Sequence, residues 1–198
     1  MDGYRRIEMK KIAVFFPGIG YTVDKPLLYY SRRLVSAYGY EVRLLPYSGF
    51  PDKVKGDKER MRRSFEIARS QSRSMMADLD LGAYGEILFI GKSVGAVVAA
   101  AIASESREKS RIRLILYTPL EDTFSFGLGD GIVFTGSADP WVGRENSQIP
   151  VLCRERGIPC YTYPDADHSL ETGDIQTDLA HMGQIMEKTK GFIEKGGC

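Results

Sequence analysis

The feature that most constrains this chain is an alternation. Short apolar runs, each closed by a turn, are followed by longer stretches with apolar residues at helical spacing. Lys11-Ile12-Ala13-Val14-Phe15-Phe16 stops at Pro17-Gly18, and residues 25–38 then carry Leu28, Leu34 and Val35 at helical intervals. Residues 41–46 read as a second strand. Asp57 opens a long helix with Met61, Phe65, Ala68, Met75 and Leu79 along one face, while Arg60, Arg62, Arg63, Arg69 and Arg73 mostly fall on a solvated one. Further strands are expected at residues 86–90, 112–117, 131–135 and 159–163. Further helices are expected at residues 94–103, 144–156 and 174–194, the last with an apolar stripe of Ile175, Leu179, Met182, Met186 and Ile193. Apolar strands separated by helices predict an α/β fold, a doubly wound, mostly parallel sheet of about six strands with helices on both faces.

A length of 198 residues suits one domain spanning 1–198, with no repeat or linker to divide it. With 27 basic and 26 acidic residues the formal charge is +1, so nothing favours nucleic acid or an anionic membrane as partner. The expected partner is a small molecule, and the oligomeric state is not legible. Cys153, Cys160 and Cys198 are odd in number and lack the paired spacing of a zinc site, and His168 and His181 lie far apart. Neither a metal nor a cofactor is expected, and the cysteines read as thiols in a reducing compartment. The first eleven residues are polar, and no run approaches about 18 apolar residues. The expected location is the cytoplasm.

The chemistry centres on Gly91-Lys92-Ser93-Val94-Gly95, which an apolar strand enters and a small-residue helix leaves. A serine on so tight a strand-to-helix turn has its hydroxyl pushed out above the sheet, with glycines leaving room for the backbone and for close helix packing. A serine hydroxyl needs a histidine to take its proton and a carboxylate to orient that histidine. Later strands supply both, ending in Thr135-Gly136-Ser137-Ala138-Asp139-Pro140 and in Pro164-Asp165-Ala166-Asp167-His168. Pro17-Gly18-Ile19-Gly20-Tyr21, after the first strand, is placed to lend a backbone N–H to an oxyanion from Ile19 or Gly20, with Val94 donating the other.

On these motifs the chain resembles the α/β-hydrolase superfamily over residues 11–194, as a small member without a cap domain. The resemblance implies Ser93 as nucleophile, Asp139 as acid and His168 as base, a sheet in the order 2-1-3-4-5-6, and hydrolysis of an ester, thioester or similar acyl bond. Two departures stand out. Pro17 occupies a place where many relatives carry histidine, and only residues 1–10 stand before the first strand here, where relatives usually have two further strands, so a sheet trimmed to about six strands is expected.

Competing readings attach to each motif. Ser93 could be an ordinary turn residue, Asp139 could initiate a turn before Pro140, and His168 could be structural. Asp165 and Asp167 are rival acids, although both lie too close to His168 in sequence to orient its ring easily. Gly18-Ile19-Gly20 could cradle a phosphate, but the third glycine of a dinucleotide loop is missing. His181 falls in the last helix and reads as a surface or packing residue. Residues 120–130 are a plain connection or a short flap. Tyr21, Lys92, Phe124, Phe126 and Trp141 are the candidates for pocket walls. The sequence thus reads first as a serine hydrolase acting on a small or medium acyl ester or thioester. Acyl transfer, amide cleavage and a non-catalytic binding protein on the same fold stay open.

Overall fold

A computed structural model describes residues 9–196, so Cys198 and the first eight residues lie outside the described residues. The strands are β1 (Lys11–Phe16), β2 (Glu41–Leu44), β3 (Glu86–Lys92), β4 (Ile112–Tyr117), β5 (Gly131–Gly136) and β6 (Cys160–Tyr163). The helices are α1 (Pro26–Ala37), α2 (Lys58–Met75), α3 (Val94–Glu105), α4 (Ile149–Glu155) and α5 (Ile175–Glu194). The strands form one sheet in the order β2-β1-β3-β4-β5-β6, every pair parallel, as expected.

Because side chains alternate across a strand, each central strand feeds two cores. Val14, Phe16, Ile87, Phe89, Leu114 and Val133 meet Ala68 of α2, Ala96, Val97, Val98, Ala99 and Ala103 of α3, and Ile149 and Cys153 of α4. Ala13, Phe15, Leu88, Ile90, Tyr117 and Phe134 meet Leu27, Leu28 and Val35 of α1 and Ile185, Phe192 and Ile193 of α5. Helix α3 is buried on nearly every side, which explains its run of Ala, Gly and Val. Small side chains let a helix sit close to the central strands. The second face is also tied by hydrogen bonds. The Tyr117 hydroxyl lies 2.8 Å from Ser31 Oγ of α1 and 2.9 Å from Thr189 Oγ1 of α5.

Two expectations are corrected. The helix anticipated at 144–156 begins only at Ile149, with Arg144–Asn146 forming a separate 3-10 turn. Pro150 lies in the first turn of α4, where a missing N–H needs no partner. In a helix begun at 144 it would break the ladder. The expected stripe of α5 is only half right, since Ile175 and Leu179 are 66% and 62% exposed. This helix docks through its C-terminal half, on Ile185, Thr189, Phe192 and Ile193. Residues 120–130 carry a 3-10 turn, Glu121–Ser125, anchored in the core by Leu120 and Phe124.

Candidate functional site

Ser93 caps α3 with φ 57° and ψ −123°, a conformation that a non-glycine residue holds only when its surroundings enforce it. The surroundings here are backbone. A Cβ on Gly91 would lie 2.6 Å from Ala96 Cα, and one on Gly95 would collide with the carbonyl oxygens of Phe16 and Pro17. The Ser93 N–H donates to the Tyr117 carbonyl at 3.1 Å, carrying the β3–β4 ladder one residue into the turn. The hydroxyl is thereby fixed at the C-terminal edge of the sheet.

The loops after β5 and β6 are joined to each other. Ser137 N–H donates to the Tyr163 carbonyl and Ala138 N–H to the Ala166 carbonyl, while a side chain at Gly136 would strike the Ala166 carbonyl oxygen. This juncture sets Asp139 beside His168. Asp139 Oδ2 is 2.7 Å from His168 Nδ1, and Oδ1 accepts the Trp141 backbone N–H at 2.9 Å. His168 Nε2 is 2.8 Å from Ser93 Oγ. A carboxylate only accepts, so Nδ1 carries the ring proton and Nε2 faces the serine as an acceptor. Asp139 is fully buried, and Trp141 stacks on the imidazole at a centroid distance of 5.2 Å. Burial pushes the His168 pKa below the ordinary imidazole value. The Asp139 hydrogen bond opposes that shift, and the Lys92 charge reinforces it.

The rival acids have other partners. Asp165 is exposed, adopts φ 55°, and presents its N–H to Ser137 Oγ. Asp167 Oδ1 accepts the backbone N–H groups of Ser169 and Glu171 at 2.6 and 3.2 Å, shaping the loop that carries His168. Thr118, which follows β4, is a contributor that the sequence reading missed. Its Oγ1 donates to the His168 carbonyl at 3.0 Å from a backbone held at φ 40°. Such a backbone is strained for a β-branched residue, by about 1–3 kcal/mol. The available signal was its place at the end of a central strand, on the edge where the other three loops meet.

In the loop after β1, Gly18 N–H bonds the Tyr21 carbonyl at 3.1 Å. The N–H groups of Ile19 and Val94 make no backbone hydrogen bond among the described residues. Gly20, with φ 68°, is exposed at the tip of the turn. The loop packs directly on the elbow, since a Cβ on Gly18 would lie 3.3 Å from Ser93 Cβ.

A cavity of about 540 Å³ opens beside Val94, walled by Met61 and Phe65 of α2, Val97 of α3, Leu120 and Phe126. A second, of about 440 Å³, includes Trp141 and Val142 and shares Met61 and Leu120 with the first. Of the residues proposed as pocket walls, Phe126 lines the first cavity and Trp141 the second. Phe124, Tyr21 and Lys92 line neither. Phe124 faces inward from its 3-10 turn, 4% exposed, beneath the Arg156 guanidinium. Tyr21 is 8% exposed, and its hydroxyl accepts the Leu27 N–H. Lys92 follows Ile90 by two residues, so strand alternation sends its side chain to the α1/α5 face, away from the cavities. His181 packs edge-on against Tyr163 in α5, remote in role from His168.

No protein-family model matches the chain, and neither does any curated protein sequence. Solved structures do match. Est1E from Butyrivibrio proteoclasticus, with ferulic acid bound, superimposes with a TM-score of 0.69 at 12% identity, covering 98% of this chain and 92% of its own. An α/β serine hydrolase without a lid from Xanthomonas campestris gives 0.60 at 14% identity, covering 94% and 82%. An α/β serine hydrolase homologue from Coxiella burnetii gives 0.61 at 16% identity, covering 92% and 84%. At these identities the likeness speaks to the fold. Together with the six parallel strands and the strained serine between β3 and α3, it establishes that the chain has the α/β-hydrolase fold in a minimal form.

Proposed function

We propose that this protein is a serine hydrolase that cleaves a small or medium acyl ester or thioester through an acyl-enzyme. The observation that carries the reading is the unbroken line from Asp139 to His168 to Ser93, at 2.7 and 2.8 Å, with the serine held in a strained elbow. His168 Nε2 accepts the Ser93 proton as Oγ attacks the acyl carbonyl, and Asp139 stabilises the imidazolium that forms. The backbone N–H groups of Val94 and Ile19 receive the oxyanion, a pair of donors each worth about 2.7–4 kcal/mol of barrier. Collapse expels the leaving group, which takes the proton back from His168. Water, deprotonated by the same imidazole, then releases the acid and restores the serine.

The acyl chain lies in the apolar cavity between α2 and α3, and the leaving group departs toward the second cavity beneath Trp141. Support for this division comes from Val94, which lines the larger cavity and directly follows the nucleophile. Est1E holds ferulic acid, and Phe65 and Phe126 stack at 6.2 Å beside the cavity here, so aryl-acyl esters belong in a substrate panel with alkyl esters and thioesters of graded length. Competing alcohols and amines in that panel separate hydrolysis from acyl transfer. The direct test is labelling by a fluorophosphonate probe. Wild-type protein is labelled and Ser93→Ala is not, whereas labelling that survives the substitution assigns the nucleophile elsewhere.

A further inference from the structure

Lys92, beside the nucleophile in sequence, is 1% exposed. No carboxylate forms an ion pair with it among the described residues, although Lys11 at the opposite end of the sheet pairs with Glu86 at 2.7 Å. A cation buried without a carboxylate to pair with is costly, and a methionine of similar length would occupy the same space without that penalty. What Lys92 touches belongs to the site. Its Nζ lies 4.9 Å from the centroid of the Tyr21 ring, a cation–π contact. Tyr21 closes the oxyanion loop by pairing with Gly18, and a Cβ on Gly18 would lie 3.5 Å from Lys92 Cγ.

The other charged groups that act on this ammonium stand on two neighbouring loops. They are Asp139 after β5 and Asp167 and His168 after β6. Tyr117, the register partner of Lys92 on β4, has its hydroxyl engaged by Ser31 and Thr189.

We propose that Lys92 is a positioning residue for this reaction, its buried ammonium holding the oxyanion loop through Tyr21 and acting electrostatically on His168. The inference rests on the reading of Ser93, His168 and Asp139 given above. Burial draws the Lys92 pKa down to about 7, with the Asp139 and Asp167 charges opposing. Below that pH the amine is charged, which covers the range where the imidazole titrates. Burial disfavours the imidazolium first and the positive neighbour adds to it, so His168 stays a free base to lower pH than an isolated histidine would.

The test compares wild type, Lys92→Met, Lys92→Arg and Ser93→Ala. The rate of fluorophosphonate labelling is followed against pH. The His168 imidazole is titrated by NMR in a His181→Gln background, which leaves one histidine to observe. In Lys92→Met the acidic midpoint moves up by about one pH unit in both measurements, because the repelling charge is gone. In Lys92→Arg it stays within about 0.3 unit of wild type. If arginine does not fit the site, the methionine variant alone decides. An unmoved midpoint in folded Lys92→Met overturns the proposal. Equal shifts in the Met and Arg variants also overturn it, since they would make the effect one of shape. Labelling that persists in Ser93→Ala instead overturns the underlying nucleophile assignment, and a failure of Lys92 alone leaves that assignment standing.

Discussion

The two faces of the sheet are built differently. On the α1/α5 face, Tyr117, Ser31 and Thr189 form a closed hydrogen-bonded tie between two helices and a central strand. On the α2/α3 face, Met61, Phe65, Val97 and Phe126 leave a cavity of about 540 Å³ beside the serine turn. Both faces are apolar, so hydrophobicity alone does not tell them apart. The difference lies in how completely the helices meet the strands, and it teaches that one face is tied shut as scaffold while the other keeps the open volume that the proposed reaction would use. Ser93, His168 and Asp139 sit on the edge between them.

Three substitutions sharpen that contrast. The largest effect belongs to the edge. Asp139→Asn keeps the shape of the side chain but favours the wrong imidazole tautomer, and turnover falls by about 10⁴-fold with little change in KM. On the open face, Val97→Phe fills the cavity one helical turn below the nucleophile. The ratio of kcat/KM for a long-chain over an acetyl ester falls about 10–100-fold, with acetyl ester turnover nearly unchanged. Equal loss on both esters would place the acyl chain elsewhere. On the closed face, Tyr117→Phe removes the shared hydroxyl. It destabilises the fold by about 1–3 kcal/mol in denaturant unfolding and leaves turnover within about twofold. A large loss of turnover there would mean that the scaffold face also shapes the site.

Much of this molecule was legible because its signals are local. The limits of β1 and β4 follow from short apolar runs, broken in β4 only by Arg113 and preceded in β1 by Lys11, and the elbow follows from glycines whose hydrogens stand where a side chain would meet Ala96 or the Phe16 carbonyl. Asp139 could be preferred over Asp165 and Asp167 by simple reach, and the 2.7 Å contact with His168 agrees with that preference. The misread features are those in which a local pattern has to compete with distant contacts. Ile175 and Leu179 have helical spacing and stay exposed, because α5 packs through a different set of residues further along. Pro150 shortens α4, a punctuation the apolar spacing around it concealed. Phe124 and Phe126 are two residues apart on one turn, yet only Phe126 reaches the cavity.

By itself the sequence determined the order of the elements, the parallel sheet and the strand end at which each candidate catalytic residue stands, since periodicity, turn chemistry and chain order are local or sequential properties. Only the tertiary structure decided which face is open and which is tied shut. It also decided that Thr118 props the His168 loop and that Lys92 is buried beneath the loop of residues 17–21. These depend on how surfaces far apart in the chain fit together, and a buried charge looks no different from a solvated one until its neighbours are in place.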